Sequence, residues 1–213
     1  LQNHLLQMLA ILTMEAPADG SDEAYHEARS TLLETIQPFS AERAVFGQYD
    51  GYRDVENVAD DSTTETFVAV ETTIDNARWR GVPVRIRTGK ALADDRTQAT
   101  ITLKRDSRIG ADQVHNRVRF TVKPDASVAF DIGVLDPDSH DPVQTTVFAC
   151  GPDGHGDLGD YAVMLDNALA GATRHFAHID DVVAAWKLVA ALHATDKQLV
   201  TYEPGTDGDS ITA

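Results

Sequence analysis

A histidine four residues into an amphipathic run is the first group in this sequence that could do chemistry. In Leu1-Gln2-Asn3-His4-Leu5-Leu6-Gln7-Met8-Leu9, helical spacing sets His4 beside Leu1 and Met8, at the border of the apolar stripe. Imidazole accepts a proton near neutral pH, as a general base must. A histidine so placed is more often structural than catalytic, and a catalytic one needs a partner that fixes its tautomer. No carboxylate stands within one turn on its own face, so a partner has to come from elsewhere. From the residues alone, both roles stay open.

Arg85-Ile86-Arg87-Thr88-Gly89-Lys90-Ala91-Leu92 is the second candidate. A strand here delivers Arg85 and Arg87 to one face, Gly89 permits a tight backbone, and Lys90 supplies a compact cation at the strand end. That set suits a phosphate or another anion, and it also suits an ordinary hairpin with solvated basic residues. It is no Walker loop, because the first glycine and the Ser/Thr after the lysine are missing. Three cations this close are out of character in a chain with 34 acidic and 18 basic residues and a formal charge of −16. The acidic balance argues against nucleic acid and against an anionic membrane as partners. It fits a solvated surface that keeps a protein in solution.

The remaining reactive types are weaker. His155 lies in a Gly154-His155-Gly156 loop, and His175 and His178 flank Phe176 with no third ligand at metal spacing, so no metal site is expected. Cys150 is the single cysteine, which excludes an internal disulfide and points to a reducing, cytoplasmic setting. There is neither a nucleophile elbow nor a GxGxxG fingerprint for a dinucleotide.

The elements that must position these groups follow from periodicity. Residues 1 to 14 read as a helix with no cap before it, ended by Ala16-Pro17-Ala18-Asp19-Gly20. A second helix runs from Ser21, its cap, to Thr35, with Pro38 closing it. Between Ala44 and Phe148 the texture is Val, Ile, Thr and Phe in short runs. Strands are expected at Thr66 to Ile74, Val82 to Arg87, Ala99 to Lys104, Asn116 to Val122 and Val128 to Phe130. The 117–122 run alternates as a strand with one wet face does. Helices return at Asp160 to Leu169 and at Ile179 to Ala194, the second with Trp186 on its apolar face, and the tail from Pro204 is loop. Successive strands without intervening helices predict an α+β fold, one large, mostly antiparallel β-sheet backed by α-helices. The sheet face without helices must be solvated or paired with a second subunit. No run is apolar and long enough to span a bilayer, and no signal peptide is visible. At 213 residues the chain fits one domain, and its capless start reads as a cut into something larger.

Across nearly its whole length the sequence resembles the C-terminal domain of glucose-6-phosphate dehydrogenase. The resemblance is carried by Gln2-Asn3-His4-Leu5-Leu6-Gln7 with Glu15 and Pro17, Gly47-Gln48-Tyr49, Ser62 to Phe67 and Asn76 to Pro83. It is strongest at Arg87-Thr88-Gly89-Lys90-Ala91-Leu92, and continues through Asn116 to Pro124, Tyr161 to Asp166, Ala185-Trp186 and Tyr202. It implies an enzyme that oxidises glucose 6-phosphate to the 6-phosphogluconolactone with NADP, sometimes NAD, in the pentose phosphate pathway. His4 matches the base that takes the C1 hydroxyl proton. Lys90 matches a lysine that binds the sugar phosphate, and Asn3 belongs to the same motif as His4. The implied assembly is a homodimer through the sheet, with residues 1–213 as the substrate-binding and dimerisation domain.

Departures accompany the match. The Rossmann half that would hold NADP lies outside the chain, together with the aspartate expected to pair with His4 and a further substrate aspartate expected just before Leu1. Where the family often carries a second cation after Lys90, Asp95 stands, and Arg96 next to it is the substitute helper. Lys123 replaces a glutamine that touches the sugar in some relatives. The resemblance therefore predicts that the chain alone is inactive as a dehydrogenase. The alternative is a non-catalytic dimerisation or regulatory module built on the same fold, and another sugar-phosphate specificity is not separable from sequence.

Overall fold

The computed structural model describes residues 3–104, 115–139, 142–150, 160–193 and 197–212. Its elements run α1 (His4–Thr13), α2 (Asp22–Thr35), β1 (Ala44–Tyr49), β2 (Phe67–Thr73), β3 (Pro83–Gly89), β4 (Thr97–Thr102), β5 (Arg117–Lys123), β6 (Ser127–Leu135), β7 (Pro142–Cys150), α3 (Asp160–Ala170), α4 (Ile179–His193) and β8 (Leu199–Tyr202). The α+β class is the one the sequence predicts. The strands are divided between two four-stranded sheets, in the orders β3-β2-β1-β8 and β4-β5-β6-β7. Every pairing is antiparallel except β1 with β8. The chain forms two compact units, one made of Leu1–Asp94 and Asp166–Ala213, the other of Asp95–Leu165.

In the first unit, local chemistry starts the helices where the sequence says. The Ser21 hydroxyl accepts the Ala24 N–H at 3.1 Å, and Asp22 and Glu23 occupy the first turn of α2. Helix α1 begins at His4, with Asn3 at the N-cap position but making no side-chain capping bond. Leu6 and Ala10 of α1, Leu32 and Leu33 of α2, and Ala185, Leu188 and Val189 of α4 share a buried cluster with Phe46, Val70 and Ile86 of the sheet. Strand register puts Ala44, Val70 and Ile86 on one face, so this is the helix-covered side. Trp186 is 52% exposed, against expectation: the buried stripe of α4 is Asp181, Ala185, Leu188, Val189 and Leu192. The i, i+4, i+7 spacing through Asp181 faces the core, and Trp186 falls one residue off it.

The opposite face of this sheet carries Val45, Phe67 and Ala69. The segment after β8 folds onto it, and Phe67, Tyr202 and Ile211 make a second, smaller core. Gly89 closes the approach. A Cβ built there would sit 2.7 Å from a Phe67 ring carbon and 3.1 Å from Leu92. Gly89→Ala is therefore expected to overpack this core and cost about 1–3 kcal/mol, read as a lower denaturation midpoint at unchanged m-value.

In the second unit the alternation is clearest on β6, where Ala129 and Asp131 are buried and Phe130 and Ile132 are exposed, whereas β5, expected to alternate, has no buried residue. The polar side holds a short network. The Arg119 guanidinium donates to Asp131 at 2.7 Å, the Thr146 hydroxyl donates to the same oxygen at 2.9 Å, and Asp131 is buried. The apolar side, with Val122, Phe130, Ile132, Val134, Val143 and Val147, is exposed. Register explains the grouping: Val118 faces Phe130, Phe130 faces Val147, and Val134 faces Val143. The Arg119 guanidinium first, then the Thr146 hydroxyl, holds the Asp131 carboxyl below the usual aspartate range. A carboxyl whose folded value is depressed contributes stability that is complete above the unfolded value, near 3.9. That contribution disappears as pH falls through the lower folded value. The stability gap between the parent chain and Asp131→Asn is thus expected to be constant above about pH 5 and to close in more acid solution.

Candidate functional site

His4 is the first residue of α1 and is exposed, as is Asn3 before it. No acidic residue occupies the first turn. The other end of α1 is anchored: the Trp79 indole donates to the Thr13 carbonyl at 2.7 Å, and Arg78 clasps Glu15 with two bonds of 2.9 and 2.6 Å. The Asn76-Ala77-Arg78-Trp79 turn thus fastens the end of α1 just ahead of β3. His4 and Lys90 belong to the same compact unit, and each lies at the end of its element remote from that anchor. Arg96 falls in the other unit, immediately before β4.

The cations of β3 have different fates. Arg85 and Arg87 do share a face, and each has an acidic partner. Glu71, directly across in register, takes Arg85 at 2.9 Å. Asp209, from the segment after β8, takes Arg87 through a short ion pair, with Asp207 at 3.9 Å. Lys90 is exposed and has no ion pair among the described residues. Of the three, Lys90 is the cation left for an outside anion. The two departures noted at Asp95 and Lys123 meet each other in the second unit, Nζ to carboxylate at 3.3 Å.

The Lys90 backbone is held unusually well for a turn residue. Its N–H donates to the Thr66 carbonyl at 2.8 Å, and its carbonyl accepts the Tyr202 hydroxyl at 2.8 Å. Ala91 follows with φ +52°, a left-handed conformation that side chains other than glycine adopt only under constraint. The Ala91 carbonyl accepts the Gly205 N–H at 2.7 Å, and Ala93 N–H reaches the Thr206 carbonyl at 3.1 Å. Thr66 is itself fixed by the loop before it. Gln48 donates to the carbonyls of Ser62 and Thr64 at 3.1 and 2.9 Å, and Thr66 N–H donates to Gly47 at 2.8 Å. The sequence motifs around Gly47-Gln48-Tyr49 and Ser62 to Phe67 are therefore the support of the Lys90 turn. Tyr202 and Thr66 were not legible as site residues from type or spacing; the signal they gave was that both fall in stretches that carry the family resemblance.

Among the described residues no group of three or more His, Cys, Asp or Glu could hold a metal ion, and no helix is long and apolar enough to cross a membrane. His155 lies outside the described residues.

Comparison with known proteins gives this arrangement its context. The family described as glucose-6-phosphate dehydrogenase, C-terminal domain, matches residues 1–212. Glucose-6-phosphate 1-dehydrogenase 1 of Mycobacterium tuberculosis (strain CDC 1551 / Oshkosh) is 33% identical over 97% of this chain and 45% of its own length. Glucose-6-phosphate 1-dehydrogenase 6, cytoplasmic, of Arabidopsis thaliana is 30% identical over 98% of this chain and 42% of its own. The crystal structure of glucose-6-phosphate 1-dehydrogenase from Mycobacterium avium superposes with a TM-score of 0.87 at 30% identity, over 97% of this chain and 45% of that one. A glucose-6-phosphate dehydrogenase in complex with its substrate glucose-6-phosphate superposes with a TM-score of 0.85 at 27% identity, over 97% of this chain and 46% of that one. Fold and matches together define a domain of an oxidoreductase family. The chain spans less than half the length of the relatives it matches. It belongs to the glucose-6-phosphate dehydrogenase family, as a member of its C-terminal domain.

Proposed function

We propose that this chain is the substrate side of a glucose-6-phosphate dehydrogenase, which oxidises glucose 6-phosphate to 6-phosphogluconolactone in the pentose phosphate pathway. The observation that carries the reading is the Lys90 turn. In a chain of this family it presents an exposed ammonium, with no ion pair among the described residues, on a backbone tied from both sides. An ammonium so held binds a phosphate dianion as a fixed point charge. Asn3, next to His4 in the chain, is a polar neighbour of the base. His4, at the solvent-facing start of α1, takes the proton of the C1 hydroxyl, and an aspartate from outside the chain orients it.

The residues of this chain do not themselves fit a dinucleotide. The sequence has no glycine-rich strand-to-helix loop, and the described strands form no nucleotide-binding βαβ repeat. NADP is accordingly assigned to a nucleotide-binding domain elsewhere, where its nicotinamide supplies the hydride acceptor. What this chain contributes is the grip on the sugar phosphate and a base for the proton. A cytoplasmic setting accords with the Arabidopsis relatives, which are named as cytoplasmic enzymes.

Glucose 6-phosphate titrated into the purified chain should bind, and Lys90→Ala should weaken that binding about 10- to 100-fold, the usual worth of a hydrogen bond to a charged group. Equal affinity in the variant would remove Lys90 from the site. The chain alone is expected not to reduce NADP. Reduction that disappears on changing His4 would overturn that expectation.

The same reading places a second copy of the chain on the exposed apolar face of β5, β6 and β7. On that face Phe130, Ile132, Val134 and Val147 stand together and exposed, the kind of contiguous apolar surface that a second subunit covers. Sedimentation should show a dimer that Phe130→Asp converts to a monomer. A monomeric parent chain would refute the arrangement.

A further inference from the structure

Tyr202 sits 112 residues from Lys90 in sequence, is 5% exposed, and points its hydroxyl at the Lys90 carbonyl at 2.8 Å, with the Thr66 carbonyl a longer second acceptor at 3.3 Å. The direction of the bonds around it is fixed by the donors available. The Tyr49 N–H can only donate, and it does so to the Thr66 hydroxyl oxygen at 2.9 Å. The Thr66 hydroxyl lies 2.9 Å from the Tyr202 oxygen. With the Tyr202 hydrogen directed to Lys90 at 2.8 Å, Thr66 must be the donor to Tyr202. The result is a one-way chain from Tyr49 N–H through Thr66 and Tyr202 to the Lys90 carbonyl. Bonds aligned head to tail polarise and reinforce one another. The Thr66 carbonyl meanwhile takes the Lys90 N–H, so both backbone polar groups of Lys90 end on the Thr66–Tyr202 pair. Packing fixes the tyrosine ring in turn. It lies edge-on to Phe67 at 5.9 Å and to Tyr49 at 6.3 Å.

We propose that Tyr202 is a positioning residue for the sugar phosphate: its hydroxyl, oriented by Thr66, fixes the main chain of Lys90 and so the point from which the ammonium reaches the substrate. The inference rests on reading Lys90 as the substrate cation. A lysine side chain has four rotatable bonds, so its binding is diluted over many positions unless its root is immobile. The positive φ of Ala91 sharpens the need, since a turn with that constraint relaxes when a bond on either side is released. Burial pushes the Tyr202 phenol above its ordinary range, so the hydroxyl stays a donor at any pH where the protein works.

The test uses the full 213-residue chain, 15N-labelled, with Tyr202→Phe, which keeps the ring against Phe67 and removes only the hydroxyl. The Lys90 amide is expected to exchange with solvent about two- to tenfold faster, and glucose 6-phosphate to bind about two- to tenfold more weakly, the worth of one hydrogen bond. Thr66→Val should repeat both losses, and Thr66→Ser should restore both. Leu188→Val, a core change in α4, should lower stability and move neither reading. An unchanged Lys90 amide in Tyr202→Phe overturns the positioning role whatever the substrate does. A faster amide with unchanged affinity overturns its bearing on binding. If the parent chain shows no glucose 6-phosphate binding that Lys90→Ala abolishes, the reading of Lys90 fails, and the substrate part of this inference fails with it while the amide result still stands or falls alone.

Discussion

Arg29→Ala is expected to cost the chain about 3–5 kcal/mol, the usual result of stripping one partner from a buried ion pair. Arg29 and Asp181 lie 2.5 Å apart with side chains 4% and 0% exposed, joining α2 to the start of α4. The guanidinium also reaches the Phe176 carbonyl at 2.8 Å and the His26 ring at 2.9 Å. Asp181 accepts from the Ser30 hydroxyl at 2.8 Å and from the His178 N–H at 3.0 Å, which starts α4. Alanine leaves that carboxylate buried with two weak donors and no countercharge. Urea unfolding should show the midpoint fall at nearly constant m. Arg29→Met combined with Asp181→Asn should regain much of the loss, because the penalty lies in the orphaned charge more than in the missing attraction. A single-variant loss under about 1 kcal/mol would mean that water reaches the pair.

Phe67→Ala is expected to be of similar size, about 3–5 kcal/mol, for a different reason. The ring is 1% exposed, packs edge-on against Tyr202, and fills the space that a side chain at position 89 would otherwise need. Its loss leaves a cavity between the sheet and the segment after β8. The effect should also spread to the Lys90 turn, because one of its anchors, Thr66, precedes Phe67 in the chain and the other, Tyr202, packs edge-on against the ring, so glucose 6-phosphate binding should weaken together with stability. Calorimetry on the variant checks the first part and titration the second. Stability loss with affinity intact would separate the small core from the site.

Much of the fold could be read ahead because its signals are local. Ser21 followed by Asp22 and Glu23 is a helix start whatever lies around it, and it is found there. Thr66 to Ile74 alternates, and β2 fills Phe67–Thr73. What was missed is non-local. Strand β8 has four residues and pairs in parallel with β1, about 150 positions upstream, so neither length nor period announces it. Trp186 was set on the apolar face by its type, yet that face is chosen by Asp181, whose burial depends on Arg29 in another helix. The site divides in the same way. His4 and Lys90 could be singled out from their neighbours. That Glu71 and Asp209 take up Arg85 and Arg87, and that Tyr202 holds Lys90 in place, depends on residues between 14 and 122 positions away.

The split of the first unit into two stretches of sequence has a consequence for how the protein is made. Residues 1–94 leave the ribosome before the second unit, yet α4, β8, Tyr202 and Ile211 emerge only after the whole of it. Until then β1 has an open edge, and the buried faces of α1 and α2 wait for Leu188 and Val189. The second unit, continuous from residue 95 to residue 165, meets no such delay. Synthesis should therefore pass through a stage with residues 95–165 folded and residues 1–94 still lacking their partners, when an unpaired strand edge is most open to chaperones and to aggregation.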